Sequence, residues 1–290
     1  MNFEKITKYN LKSLYPWLYQ CDYGLCDYAP MVLLLWSEYY DYRFAIEEEG
    51  LFLSMTKEGK THFLLPIAKD LRGALKRLEE HCRKQNLQLS LVAVPESCRD
   101  YVGSVLGARV EEMEEGDFDY AYRSADLSAL SGRRYNGQRN HLNRFRREHP
   151  NAEIRPLRRE DRAQLREFLA QYRGAGGNET FLYDRRAVAE FVENFDGFDF
   201  LGAVVVCDEK IVGLAFGDVV GDTLFVHVEK FLRGISGLGE TLNNGFVRLF
   251  ARAGVDWVNR EEDMGEEGLR KAKKSYYPTM RKKYRVFAPD

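Results

Sequence analysis

The stretch VNREEDMGEEGLRKAKKSYYP, Val258 to Pro278, concentrates residue types that do chemistry. Five acids fall between Glu261 and Glu267, and four bases and two tyrosines follow before the proline. A carboxylate in such a setting accepts a proton from an attacking amine or hydroxyl. A lysine or arginine holds an anionic donor or a developing oxyanion. The spacing divides the stretch. In its middle, Asp263 and Glu266 have capping-box spacing, and Glu266–Arg270 and Glu267–Lys271 are i,i+4 pairs. This predicts a capped helix whose Leu269, Ala272 and Tyr276 face the core. Its two ends are better placed for a site. Asn259, Arg260, Glu261 and Asp263 follow the short strand VDWVN, at the carboxyl end where α/β sheets place ligands, and Lys274, Ser275 and Tyr276 lie on the same connection.

Two further segments carry candidate residues. DTLFVHVEKF (222–231) alternates as a strand should, with Leu224, Val226 and Val228 on one face and Phe225, His227 and Glu229 on the other. Glu229 and Lys230 close it. His227 reads as a satisfied, half-buried histidine. The loop RGISGLG (233–239) comes next and opens an amphipathic helix in which Leu238, Leu242, Phe246, Leu249 and Ala253 share a face, with Gly254 as its stop. Strand, glycine loop and helix together form a phosphate-binding arrangement, with Arg233, Gly234, Gly237 and Gly239 as candidate anion contacts. The pattern is neither the dinucleotide fingerprint nor a P-loop. It serves equally as a flexible start to the helix. The segment SGRRYNGQRNHLNRFRREHPN (131–151) has six arginines and one acid. As a helix it gathers Tyr135, Leu142, Phe145 and His149 into one stripe. Arg139, Asn140, Asn143 and Arg147 are left on the rest of the surface, suited to phosphates or carboxylates. It reads equally as a solvated linker answering the acidic stretch 111–119.

These pieces need a scaffold, and the order of elements supplies one. The C-terminal half reads β-β-β-α-β-α-β: the hairpin FLGAVVV/IVGLAFGDVV, then DTLFVHVEKF, the amphipathic helix, VDWVN, the charged helix and KYRVFA. The N-terminal half repeats it, from YRFAIEEE and LFLSMTKE through THFLLPIA, a helix over KDLRGALKRLEEHCRKQN, LQLSLVAV, a short helix over PESCRDYVGSVL, and ARVEEMEE with FDYAYR. THFLLPIAKDLRGALKRLEE set beside DTLFVHVEKFLRGISGLGET gives strand, Lys, Leu-Arg-Gly, helix twice over, an internal repeat. The expected fold is α/β (α+β) in two tandem copies, each a mixed, mostly antiparallel sheet flanked by helices. The expected boundaries are 1–130, a basic linking helix at 131–151, and 152–290 with the site.

Composition narrows the function classes. Across 290 residues the chain is 44% apolar and 30% charged with a net charge of -2, so no whole-molecule charge draws it to nucleic acid or membrane. Its five cysteines are odd in number and scattered, which fits a reducing compartment. No apolar run approaches the about 20 residues of a membrane helix, and the start has no signal-peptide core. A cytoplasmic location is expected. No His/Cys cluster has metal-ligand spacing, and no GxSxG is present.

The glycine segment and the element order are similar to the pyrophosphate loop and fold of GNAT acyltransferases. In that loop, however, Arg or Gln stands three residues before the first shared glycine, a place taken here by Gly234. HVEK, NREEDMGEEGLRKAKKSYYP and KY, with RNHLNRFRREHP upstream, resemble a bacterial family related to the catalytic domain of the phosphatidylglycerol lysyltransferases, over essentially the whole chain. The resemblance implies a tandem GNAT fold like that of the Fem-type aminoacyltransferases, an aminoacyl-tRNA donor bound through its 3′ end and phosphates, and a lipid or cell-envelope precursor as acceptor. It points to Glu229, Asn259, Glu261, Asp263 and Tyr276 as catalytic candidates and to Lys230, Arg260, Lys274 and Ser275 as substrate contacts. The expected activity is acyl-group transfer, with aminoacyl-tRNA or acyl-CoA as co-substrate and no tightly bound cofactor. The arginine helix is the expected tRNA contact. A non-catalytic ligand- or RNA-binding module on the same fold is the alternative.

Overall fold

A computed structural model describes residues 1–172 and 179–288. Its strands are β1 (Glu4–Lys5), β2 (Arg43–Glu47), β3 (Gly50–Lys57), β4 (Lys60–Leu64), β5 (Ser90–Pro95), β6 (Arg109–Glu112), β7 (Asp119–Arg123), β8 (Glu153–Pro156), β9 (Leu201–Cys207), β10 (Lys210–Val220), β11 (Thr223–Phe231), β12 (Trp257–Asn259), β13 (Thr279–Arg281) and β14 (Lys283–Phe287). The helices are α1 (Tyr15–Leu18), α2 (Pro30–Leu35), α3 (Leu71–Lys84), α4 (Arg99–Leu106), α5 (Ser124–Ala129), α6 (Asn136–Glu148), α7 (Arg162–Gln171), α8 (Glu179–Asn194), α9 (Leu238–Phe250) and α10 (Glu267–Lys274).

Two seven-stranded mixed sheets result, ordered β1-β2-β3-β4-β5-β14-β6 and β13-β7-β12-β11-β10-β9-β8. The internal repeat holds at this level. In each sheet an antiparallel run of strands leads to one parallel step, β4 on β5 and β11 on β12, spanned by a crossover helix, α3 or α9. The halves are not contiguous, however. β14, from the end of the chain, lies between β5 and β6, and β7, from the end of the first half, pairs with β12. Each half therefore lends a late strand to the other's sheet, and the boundaries 1–130, 131–151 and 152–290 give way. One compact unit is Met1–Tyr120, Glu261–Lys274 and Thr279–Asp290; the other is Ala121–Arg260 and Ser275–Pro278. β14 is an interior strand of its sheet, flanked by β5 and β6, and its Tyr284 and Val286 are core residues.

In the second unit, Leu238, Leu242 and Phe246 form the buried face of α9. The helix ends at Phe250, so Ala253 and Gly254 lie beyond it. α6 buries Leu142 and Phe145 behind Tyr135, as the stripe predicted. α4 begins at Arg99, after Pro95 has ended β5. Residues 153–171 and 179–194 add β8, α7 and α8, which the sequence patterns do not place. Among the described residues no helix is long and apolar enough to cross a membrane. Cys21, Cys26, Cys82, Cys98 and Cys207 are all free thiols.

Candidate functional site

The stretch after β12 threads from one unit to the other, since Arg260 ends one segment and Glu261 begins the next. Each unit has a buried polar centre fed by this stretch.

In the first unit the centre is Lys283, the first residue of β14. Its ammonium is 1% exposed and sits 2.7 Å from Asp27 Oδ2, 2.8 Å from Asp119 Oδ1 and 2.7 Å from Glu262 Oε2. The Cys26 Sγ is 3.5 Å away. The four partners come from a short helical turn at Cys26–Tyr28, the start of β7 and the loop after β12. Cys26 brackets Asp119: its backbone N–H donates to Oδ2 at 2.7 Å and its thiol to Oδ1 at 3.2 Å. Burial pushes the Cys26 thiol well up, with Asp119 adding to the effect, so it remains a protonated donor. Burial also raises the Asp27 and Glu262 carboxyls, Glu262 to about 7, although Lys283 opposes it. Atoms of Cys26, Asp119 and Glu262 lie within 4.8 Å of one another, a spacing that could hold a cation. The Lys283 ammonium is already that cation. Asp119 is sealed, whereas the side chains of Asp27 and Glu262 keep 20% and 27% of their surface open. The arrangement offers solvent two carboxylates of raised pKa, backed by a fixed positive charge. It can bind an amine, and it can take a proton near neutral pH.

In the second unit, Arg260 forks onto Glu229 Oε2 through Nε at 2.9 Å and through a terminal nitrogen at 2.6 Å, and Asn243 of α9 donates to Oε1 at 3.1 Å. The guanidinium lies 5.3 Å from the centre of the Tyr276 ring and 6.0 Å from that of Tyr122. Burial alone would weaken its hold on the proton, but Glu229 outweighs burial and keeps it charged. Lys230 points elsewhere, 2.5 Å from Asp184 and over the Tyr172 ring. The His227 side chain is buried, with Nε2 3.0 Å from Asp218 Oδ1.

The other expected residues take different places. Asp263 is fully buried: its carboxylate accepts from Tyr120 at 2.5 Å, from Arg270 at 2.8 and 3.0 Å and from the Gly265 N–H at 2.8 Å. It anchors a loop, with no lone pair turned to solvent. At the expected capping box the Glu266 N–H donates to the Asp263 carbonyl at 2.9 Å, and the Arg270 guanidinium turns back to Asp263 and Glu115. α10 buries no residue, Leu269 and Ala272 are exposed, and only Tyr276, past the helix end, is in the core. Lys274 pairs with Glu115 at the surface, while Lys273 donates to the Glu262 carbonyl at 2.6 Å. Glu261 is in the left-handed region with φ 58, and its carbonyl accepts from Tyr120 N. Asn259 is fully buried, and Ser275 is exposed with its carbonyl bonded to Gln138.

The glycine loop has a packing explanation. A Cβ on Gly237 would sit 2.2 Å from the His141 carbonyl oxygen of α6, and one on Gly239 would sit 2.8 Å from the Phe231 ring. The His141 carbonyl of α6 thus fills the space into which a Cβ at Gly237 would project. Gly234 and Arg233 remain at the surface, with open space around Gly234.

Sequence reading missed Asp27, Asp119, Glu262 and Lys283. Glu262 lies within the quoted EED and Lys283 begins the quoted KY. Neither has a periodic or spacing signal, since their partners are remote in the chain.

Comparison places the chain in a family. A conserved protein of unknown function from Bacteroides thetaiotaomicron is 28% identical, with a TM-score of 0.90 and 100% of each chain covered. The structure of L-PGS from Bacillus licheniformis matches at 14% identity and TM-score 0.67, covering 95% of this chain and 91% of that one. FemX matches at 10% identity and TM-score 0.62, covering 100% and 98%. At these last two identities the likeness is one of fold, the tandem GNAT-like architecture. No curated protein matches the sequence. The family model for the C-terminal part of phosphatidylglycerol lysyltransferase matches residues 26–287, and the chain belongs to that family.

Proposed function

We propose that this chain transfers an aminoacyl group from aminoacyl-tRNA to an amine or hydroxyl acceptor, with the Lys283 centre receiving the donor's aminoacyl end. The observation that carries this reading is the trio of carboxylates around Lys283, two of them open to solvent. An aminoacyl ester brings a free ammonium that such carboxylates bind, whereas a simple acyl thioester brings none. In the transfer, the acceptor nitrogen or oxygen attacks the ester carbonyl and gives its proton to the Glu262 carboxylate. The bond from that carbonyl to the tRNA ribose breaks, and the ribose oxygen takes up the proton that Glu262 received, which restores the carboxylate. Positioning and charge stabilisation supply most of the acceleration. The acyl-CoA alternative relies on an anion site ahead of α9, where the need for glycine at Gly237 is met by close packing against the His141 carbonyl.

The test offers the protein aminoacyl-tRNAs labelled in the aminoacyl group together with phospholipid and amine acceptors. Label is expected in the acceptor fraction, and Glu262→Gln should remove it while the protein still folds. Transfer from acyl-CoA in place of aminoacyl-tRNA would overturn the reading. So would tight binding of charged tRNA with no product, the behaviour of a binding module.

A further inference from the structure

The sheet of the first unit carries a second polar patch, at the end of its strands where β4 and β5 begin. Paired residues of neighbouring strands share a face, and so do residues two apart on one strand. Met55 pairs with His62, Lys57 with Lys60 and Ser90 with Phe287, and Arg285 precedes Phe287 by two on β14. The His62 Nδ1 lies 2.9 Å from the Ser90 hydroxyl, which ties β4 to β5 on this face. Lys57, Lys60, His62, Ser90 and Arg285 therefore stand on one side of the sheet. Phe63 turns the other way, its ring centre 6.5 Å from that of His81, so α3 lies against the opposite face. The two lysines are exposed, His62 and Arg285 half-buried and Ser90 buried.

The charges of this patch are unbalanced. Lys57 and Lys60 oppose each other directly across the hairpin, and like charges so placed are destabilising. Glu111 stands across from Arg285, yet its carboxylate turns to Arg109. The Arg285 Nε is buried and has no hydrogen-bond partner among the described residues. Such a nitrogen is costly to leave unpaired, and an acceptor oxygen from a ligand would offset the loss. Burial lowers the His62 pKa, and Arg285, Lys57 and Lys60 push it the same way while Glu58 opposes them. Three fixed cations thus surround the ring against one carboxylate, an excess of two positive charges. The basic residues of α6 are disposed otherwise. There Arg139 donates to the carbonyls of Leu130 and Gly132, Arg144 pairs with Glu148, and Asn140, Asn143 and Arg147 spread over the exposed surface. We propose that His62, Ser90 and Arg285 form a binding site for a terminal phosphoryl group, free phosphate or a phosphate monoester, with Lys57 and Lys60 at its rim. A dianion matches the excess charge, and a guanidinium suits its oxygens. A neutral imidazole that accepts from Ser90 at Nδ1 carries its proton on Nε2, where it donates to the ligand. The site is separate from the Lys283 centre, where carboxylates enclose the one ammonium, and it does not depend on the transfer reading.

The test is calorimetric titration of the full chain, at constant ionic strength, with inorganic phosphate, glycerol phosphate and dimethyl phosphate. The first two should bind saturably, and dimethyl phosphate, a singly charged diester, on the order of tenfold more weakly. Arg285→Gln should weaken phosphate binding on the order of tenfold. Lys60→Gln, at an exposed position, should weaken it about threefold. Lys76→Gln on α3 changes the net charge equally and should bind as the parent does. Absence of saturable phosphate binding by the parent would overturn the proposal. So would parent-like binding by a folded Arg285→Gln protein; should that variant not fold, parent-like binding by Lys60→Gln would do the same. Dimethyl phosphate bound as tightly as phosphate would also overturn it, because the face would then suit the diester of a nucleic acid or a lipid.

Discussion

Lys283 Nζ and Glu262 Oε2 lie 2.7 Å apart, the lysine closed to solvent and the glutamate still partly open to it. The lysine holds three carboxylates in place, and the glutamate is the more open of the two that a ligand can reach. The two residues thus carry different burdens, and variants should separate them.

Lys283→Met should destabilise the protein by about 3–5 kcal/mol, because Asp119 is left buried without its cation. Urea denaturation measures this. Adding Asp119→Asn should recover part of the loss, since the uncompensated charge is then removed. Additive losses would show that the two residues act independently.

Glu262 sets a pH dependence. Burial raises its carboxyl to about 7 in the folded protein, above the ordinary 4.5 of a glutamate. The folded state then holds a proton that the unfolded state has released. The associated stability is full below about pH 4.5 and is lost as pH rises toward 7. Melting curves across this range should show the decline in the parent and a flatter profile in Glu262→Gln. Transfer activity, if Glu262 takes the proton, should climb through the same window.

Asp263 separates structure from chemistry. Burial would raise its carboxyl, but Arg270, Tyr120 and Gly265 outweigh burial and hold it below the usual range. Its stabilisation is present above the ordinary aspartate pKa and is lost as pH falls through the lowered one. Asp263→Ala should cost about 3–5 kcal/mol by stranding Arg270 and Tyr120, whereas Tyr120→Phe should cost about 1 kcal/mol. A stable Asp263→Ala protein with no activity would instead return Asp263 to the catalytic candidates.

Gly237 and Gly234 form a matched pair. Both have positive φ, 76 and 88, but only Gly237 has backbone where a Cβ would go. Gly234→Ala should cost about 1–2 kcal/mol from conformation alone. Gly237→Ala should cost distinctly more, because α6 must shift away from α9. Equal melting temperatures for the two variants would remove the packing explanation.

The strands and α9 were legible because alternation and helical periodicity record burial locally. Leu224, Val226 and Val228 point inward, and Leu238, Leu242 and Phe246 line one face. The repeat was visible because both halves solve the same crossover problem. The Lys283 centre was not legible. Its members come from residues 26–27, 119, 262 and 283, and only the insertion of β14 between β5 and β6 brings Lys283 to the others. The pull of local pattern also misled. Asp263 and Glu266 have capping spacing, yet a buried arginine-and-tyrosine partnership is stronger than a surface cap. Leu269 has helical spacing toward the core, yet α10 buries none of its residues.

The exchanged strands constrain how this protein can be made and how it can change. The first sheet lacks its sixth strand until residues 283–287 have left the ribosome, so the N-terminal half emerges with β5 and β6 exposing edges that only the end of the chain can close. During synthesis that gap is a site for mispairing between nascent chains. For the same reason neither half can be excised, duplicated or fused elsewhere as a self-sufficient module. A break anywhere between residues 124 and 282 parts a strand from the sheet it completes.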